Sequence, residues 1–144
     1  MMPENSTVEQ HKYICNKLNK VMRKVQRFYE AKLSSFGITP VQFVVLASLL
    51  KNDGMKFKDL AENIDMDGST LTGILDRLER AGYVERKGDP EDRRSVLIFL
   101  TEKANESGPA LLKTAEEFDE EIKEHFTPDE FDVFIRVLDK ITEL

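Results

Sequence analysis

What this 144-residue chain has little of already excludes several classes of protein. Its one cysteine, Cys15, has no partner for an intramolecular disulfide and matches no zinc-ligand spacing, which points to a reducing compartment, the cytoplasm by default. There are 2 histidines, no phosphate-cradling glycine loop, and no Ser, His and Asp grouping that spacing would bring together, so no enzyme, cofactor or metal site is expected. The longest apolar stretch, Phe43 to Leu50, falls far short of the roughly 20 residues that a membrane-spanning helix needs. The N-terminus has no basic region feeding an apolar run, so neither a secretory signal nor a membrane partner is expected. With 7 Gly and 5 Pro, the chain is neither collagen-like nor a low-complexity tract.

What remains has the balance of one soluble globular domain, 40% apolar and 33% charged, large enough to bury a core without disulfides. The net charge of −6 is unevenly spread: residues 1–50 carry 7 Lys/Arg against 3 Asp/Glu, residues 51–100 carry 9 against 11, and residues 101–144 carry 5 against 13. An acidic end and a basic start suit internal or inter-subunit pairing, and any contact with a polyanion has to be local. The cluster Glu116, Glu117, Asp119, Glu120 and Glu121 is read as a solvated helix face.

Apolar spacing then orders the chain. From about Val8 to Leu33, Ile14, Leu18, Val21, Val25 and Phe28 follow a heptad-like seam, flanked by Met22, Tyr29 and Leu33, which predicts a long helix with more than one neighbour. Thr39-Pro40-Val41-Gln42 combines an N-cap, a proline at the first helical position and a capping-box glutamine, and opens a helix with the stripe Phe43, Leu46, Ala47 and Leu50. After a brief extended piece at Met55–Phe57, the same spacing recurs at Phe57, Leu60, Ala61 and Ile64. It recurs again at Leu71, Ile74, Leu75 and Leu78 behind the N-cap Asp67. Two short helices joined by so tight a turn form a helix-turn-helix pattern.

Two β-rich runs follow, Tyr83–Arg86 and Ser95–Leu100, and predict a hairpin with a long charged tip. Thr101 caps a fifth helix with the seam Leu111, Ala115, Phe118 and Ile122, and Gly108-Pro109 is expected to kink or break it early. A second capping box, Thr127-Pro128-Asp129-Glu130, opens a last helix with one stripe at Phe131, Phe134, Ile135 and Leu138 and another at Val133, Val137, Ile141 and Leu144. Helices apolar on two sides are hard to satisfy within a small monomer, so a homodimer built from the first, fifth and sixth helices is inferred.

The outer face of the fourth helix presents Ser69, Thr70, Gly73, Asp76, Arg77 and Arg80. Short hydroxyls at a helix N-terminus approach phosphates or base edges closely, a glycine lets the helix lie deep, and an arginine reaches a phosphate or a guanine edge. The neighbouring hairpin carries Arg86, Lys87, Arg93 and Arg94, cations suited to a minor groove, with Asp92 positioned to orient Arg94 by a charge-assisted hydrogen bond. Together these residues point to double-stranded DNA as the partner, while a winged-helix module that binds protein instead is the competing class.

These residues also carry a resemblance. The Ile38-Thr39-Pro40-x-Gln42-Phe43-x-Val45-Leu46 opening, Leu60-Ala61, Ser69-Thr70-Leu71-Thr72, Leu78-Glu79-Arg80-Ala81-Gly82-Tyr83-Val84-Glu85-Arg86 and Asp89-Pro90-Glu91-Asp92-Arg93-Arg94-Ser95, followed by Leu100-Thr101, resemble the MarR family of winged helix-turn-helix transcription regulators. The resemblance implies a mainly α fold with a small β-wing. Residues 39–101 would form the DNA-binding winged helix-turn-helix, and residues 1–38 and 102–144 the helical dimerisation region. It also implies a pseudo-palindromic operator, Ser69, Thr70, Thr72 and Arg77 on the groove-facing helix, and Asp92 and Arg94 as the wing pair. Ala104 stands where the family commonly has glycine, and the Gly108-Pro109 pair is not a family feature; both bear on signal transmission.

The family resemblance further suggests a repressor released by a small phenolic or aromatic effector, with Lys12, Arg23, Phe28 and Phe43 as candidate lining residues. A hydroperoxide-sensing branch is similar in carrying a first-helix cysteine, which makes Cys15 the alternative sensor, with His11 and Lys12 one turn before it and Tyr29 as a nearby hydroxyl. Pro40 and Asn19 stand where that branch has tyrosines.

Overall fold

A computed structural model describes residues 13–144. His11, Lys12 and the expected helix start near Val8 lie outside the described residues. Helix α1 (Ile14–Leu33) passes through a 3-10 turn (Ser34–Phe36) to α2 (Pro40–Lys51), strand β1 (Met55–Lys56) and the pair α3 (Phe57–Asn63) and α4 (Gly68–Arg80). Strands β2 (Val84–Gly88) and β3 (Val96–Leu100), α5 (Glu102–Lys123) and α6 (Pro128–Thr142) complete the chain. This mostly helical chain with its small antiparallel sheet is the winged-helix arrangement that the resemblance implies.

Local hydrogen bonds explain the helix starts. At α2 the Gln42 N–H donates to Thr39 Oγ1 (3.3 Å) and the Thr39 N–H donates to Gln42 Oε1 (3.0 Å), and at α6 Thr127 and Glu130 repeat the reciprocal pair. The Ala104 N–H is taken by Thr101 Oγ1 at the head of α5. Each of these ends has donors without intrahelical partners, and the side chains supply acceptors for them.

The sheet has one more strand than the expected hairpin. Its order is β1-β3-β2, with Met55 opposite Ile98, and Val84 and Gly88 opposite Leu100 and Val96. Asp53 holds the added strand, accepting the N–H groups of both Gly54 (2.9 Å) and Leu100 (2.8 Å). Gly54 turns the chain at φ +74°, and its missing side chain makes room for the Phe99 ring.

One core runs through the molecule. Leu33 of α1, Leu46 and Leu49 of α2, Leu60 of α3, Leu71 and Leu75 of α4, Ile98 of β3 and Leu111 of α5 are all sealed from solvent. The α4 stripe is buried as spaced, but α2 turns a broader face inward: Gln42, Val45 and Leu49 join Leu46, while Phe43, Ala47 and Leu50 are half-buried. The helix touches α1, α3, α4, α5 and β3, so a single stripe cannot describe its burial.

Helix α5 departs from expectation, running unbroken through Pro109. Proline removes one backbone donor, and the carbonyl it frees belongs to exposed Asn105, where water can serve it. On the opposite side Gly108 is buried against Leu50, so closely that a Cβ there would meet Leu50 Cδ2 at 2.6 Å. Packing on α2 therefore supports an unbroken helix at the weak point.

The long α1 seam stays largely open, with Ile14, Leu18, Val21, Met22 and Phe28 exposed, and no residue of α6 is buried. Among the described residues no single helix is long and apolar enough to cross a membrane.

Gly54→Ala places a Cβ 2.9 Å from the Phe99 ring at a left-handed φ, and is expected to cost about 1–3 kcal/mol. Urea unfolding checks this; Gly108→Ala should cost less, since the Leu50 methyl it meets can rotate away.

Candidate nucleic-acid interface

Burial of Leu71, Ile74, Leu75 and Leu78 fixes the rotation of α4, so Ser69, Thr70, Thr72 and Arg77 face solvent and Gly73 lies half-exposed between them. The turn from α3 is closed by a Met66 N–H to Ala61 carbonyl bond of 2.9 Å and by Asp65 in the left-handed region, φ 51°. Asp67 caps the helix with unusual completeness. Its Oδ1 accepts the Thr70 N–H (2.8 Å) and the Ser69 hydroxyl (2.7 Å), and its Oδ2 accepts the Thr70 hydroxyl (2.8 Å).

These bonds, the Thr70 N–H first, lower the Asp67 carboxyl from 3.8 to about 2. They also commit the hydroxyl protons of Ser69 and Thr70, and the Thr72 hydroxyl donates back to the Gly68 carbonyl (2.8 Å). Toward an outside partner all three hydroxyls present acceptor lone pairs.

The wing divides its cations into two kinds. Arg86 is engaged inside the chain: its Nη2 lies 2.7 Å from Asp76 Oδ1 and its Nε 2.6 Å from Glu79 Oε2. The two carboxylates, Glu79 foremost, raise the guanidinium above its ordinary value, and the fork ties β2 to the exposed edge of α4. Lys87 sits 3.6 Å from Glu85 and over the Phe99 ring at 5.3 Å. Arg77, Arg93 and Arg94 are exposed, and their side chains have no hydrogen-bond or ion-pair partner among the described residues.

The wing turn is built by its aspartates. Asp89 Oδ1 accepts the Glu91 N–H (2.9 Å), Asp92 Oδ1 accepts the Arg94 N–H (3.0 Å) and Asp92 Oδ2 accepts the Ser95 hydroxyl (3.2 Å). Asp92 thus positions Arg94 through its backbone, in place of the expected bond to the guanidinium, because the turn's own N–H groups point into the carboxylate. The cation is left free to reach outward.

The sequence placed Asp76 on the outer face of α4 and Glu79 within the family motif, and neither was expected to hold Arg86. They lie on adjacent turns of α4, and only the strand geometry of β2 brings Arg86, seven residues beyond Glu79, back over them.

Among the described residues the candidate effector and redox residues do not gather at one place within a chain. Phe28, Tyr29 and Phe43 gather with Phe118 where α1, α2 and α5 meet: the Tyr29 ring stands edge-on to Phe118 at 4.3 Å, and Phe28 is 5.9 Å from it. The Tyr29 hydroxyl donates to Asp119 Oδ1 at 2.6 Å, and burial, reinforced by that carboxylate, pushes its ionisation well above the ordinary tyrosine range. Cys15 and Tyr29 are 14 residues apart on one helix, about 21 Å along its axis at 1.5 Å per residue, so the tyrosine is not the neighbouring hydroxyl expected for the thiol. Cys15 is exposed, with the Asn19 amide 3.7 Å from its Sγ, and Arg23 is exposed further along the helix. Among the described residues no group of three or more His, Cys, Asp or Glu side chains is arranged to hold a metal ion.

Comparison with known proteins matches this geometry to a family. The family model described as MarR family matches residues 38–96, from the head of α2 into the wing. The uncharacterized HTH-type transcriptional regulator YsmB of Bacillus subtilis (strain 168) is 32% identical over 76% of this chain and 75% of its own length. The chain belongs to the MarR family. A second family relative, the organic hydroperoxide resistance transcriptional regulator of the same organism, is 36% identical over 62% of this chain and 60% of its own length. Several curated relatives are matched over less than two thirds of their length, from 40% to 62%. Among solved structures, the transcriptional repressor CouR bound to a 23-mer DNA duplex superposes with a TM-score of 0.84 at 25% identity, covering 93% of this chain and 95% of that one.

The cap makes a pH prediction. Asp67 has a folded-state pKa of about 2 against an ordinary 3.8, so its contribution is fully present above that ordinary value and is lost as the pH falls through about 2. The stability gap between wild type and Asp67→Ala, read from urea unfolding at stepped pH, should narrow between about pH 4 and pH 2 and stay constant above.

Proposed function

We propose that the protein is a homodimeric transcription regulator that binds a pseudo-palindromic operator in double-stranded DNA, with α4 in the major groove and the wing at the minor groove. The observation that carries this reading is the division of the arginines: Arg86 is locked against Asp76 and Glu79, while Arg77 on α4 and Arg93 and Arg94 in the wing turn stand exposed, their side chains without partners among the described residues. Guanidiniums left unpaired beside carboxylates that are already engaged suit a polyanion supplied from outside. Ser69, Thr70, Thr72 and Gly73 line the same face, and Lys87 lies at the wing's base.

In this reading residues 39–101 contact DNA, and residues 1–38 and 102–144 pair two subunits. Support for pairing comes from the open apolar faces: Ile14, Leu18 and Val21 on α1, and Val133, Phe134, Val137 and Ile141 on α6, all exposed in the single chain. Val137→Asp combined with Ile141→Asp should convert a dimer to a monomer in sedimentation velocity without loss of helix content.

The signal is read as a small aromatic effector that releases a repressor. Its support is the aromatic junction of Phe28, Tyr29, Phe43 and Phe118, where the pairing helix α1 meets α2 and α5. A second reading, a thiol sensor for hydroperoxides, is favoured by the exposure of Cys15 and by the relative named for organic hydroperoxide resistance.

The test is a fluorescence-anisotropy titration against the protein's own upstream intergenic DNA at two salt concentrations, with salicylate and then cumene hydroperoxide added. Specific binding that falls steeply with salt is expected. Arg94→Ala should weaken it and lower the log–log salt slope by about 1 while the dimer persists. Release by salicylate supports the aromatic effector; release by hydroperoxide, abolished in Cys15→Ser, supports the thiol. No binding to this DNA or to pooled genomic fragments transfers the proposal to a protein-interaction module.

A further inference from the structure

The chain has seven glycines, and its own structure accounts for most of them. Gly37, Gly54 and Gly82 occupy the left-handed region, Gly108 is pressed against Leu50, and Gly68 opens α4 over the edge of Phe57. Gly88 ends β2 where the wing turn begins, an ordinary place for glycine.

Gly73 is different. It lies in the interior of the 13-residue helix α4, where glycine weakens a helix relative to alanine. Its φ is not left-handed, and a Cβ built on it would have nothing within 4 Å. Nothing among the described residues fills the space of a methyl there, so alanine is expected to make the fold more stable.

The position has a clear setting. Four residues before it is Ser69 and four after it is Arg77, so the three share one row along the exposed side of the helix. The Ser69 hydroxyl is folded back onto Asp67 and the Arg77 guanidinium has no partner among the described residues, so the middle of the row is a saddle one methyl lower than alanine would leave it. A body lying along this row makes its closest backbone approach at Gly73.

We infer that Gly73 is a specificity-determining residue, kept side-chain-free so that a base edge on the floor of the major groove can pack directly against the α4 backbone. The inference rests on the DNA-binding reading above and assigns the depth of α4's insertion to a single position. Phosphate contacts made from the wing carry affinity for any sequence, and the close fit at Gly73 adds discrimination among sequences. A methyl at this point lifts the helix from the groove floor, and every base contact on the row lengthens with it.

The experiment compares wild type with Gly73→Ala on two duplexes, one selected by the wild type from a randomised pool and one of scrambled sequence. Gly73→Ala should raise the melting temperature by about 2–6 °C, so lost binding cannot come from unfolding. Affinity for the selected duplex should fall about tenfold or more, and affinity for the scrambled duplex should stay within about twofold. Higher stability with unchanged affinity for the selected duplex overturns the inference and leaves the DNA-binding reading standing. An equal loss on both duplexes also overturns it, since the methyl would then be obstructing phosphates. A lower melting temperature overturns it as well, by showing that the chain itself uses the glycine. A wild type that retains no duplex from the pool defeats the DNA-binding reading, and the inference falls with it.

Discussion

Burial of four side chains on one helix is the constraint from which the candidate interface follows. With Leu71, Ile74, Leu75 and Leu78 sunk among α2, α3 and β2, α4 cannot rotate about its axis without exposing them, at roughly 1.5–3 kcal/mol for each fully exposed side chain. Everything outward is set by that choice: the Ser69, Gly73 and Arg77 row faces solvent, and Asp76 and Glu79 turn toward the wing. Arg86 then meets carboxylates already in place. Exposed ion pairs contribute little to stability, so the value of this half-exposed fork is its geometry, which couples the wing's base to the helix.

Net charge misdescribes such a surface. Residues 51–100 hold more acids than bases, yet several acids on α4 and the wing turn are engaged: Asp67 with Ser69 and Thr70, Asp76 and Glu79 with Arg86, Asp89 and Asp92 with the wing turn, while Glu91 stands exposed. Among the described residues the side chains of Arg77, Arg93 and Arg94 have no such partner. In the DNA-binding reading these exposed guanidiniums are what a polyanion would meet, and the acidic cluster from Glu116 to Glu121 belongs to α5, not to α4 or the wing turn.

The ends of the chain are built on a different principle. Helix α1 is anchored to α5 by Leu33, by Tyr29 on Asp119 and Phe118, and by Lys32 on Glu121 at 3.2 Å, so its last turns belong to the core. Its earlier turns and most of α6 carry apolar side chains that stay exposed among the described residues, with Phe131 and Leu138 only half-buried. A helix that amphipathic gains its stability from what it packs against, and here the core of the winged region does not supply that neighbour.

Much of this was legible in the residues, and the boundary is physical. The capping boxes at Thr39 and Thr127, the cap at Asp67, the α4 stripe and the candidate row on its outer face all depend on partners within about one helical turn, which spacing reports directly. The pairing of β1 with β3, the unbroken passage of α5 through Pro109, the wide burial of α2 and the bond from Tyr29 to Asp119 depend on groups far apart along the chain. Arg86 marks the divide: its charge was plain in the sequence, but whether it would reach outward or be held by Asp76 and Glu79 was decided by the strand that carries it back over α4. The sequence by itself determined which segments are helices, where they begin and which faces are apolar, because those are short-range hydrogen bonds and periodicities. Only the tertiary structure decided which cations are left unpaired and which glycine is unneeded by the fold, because both depend on what lies within a few ångströms in space.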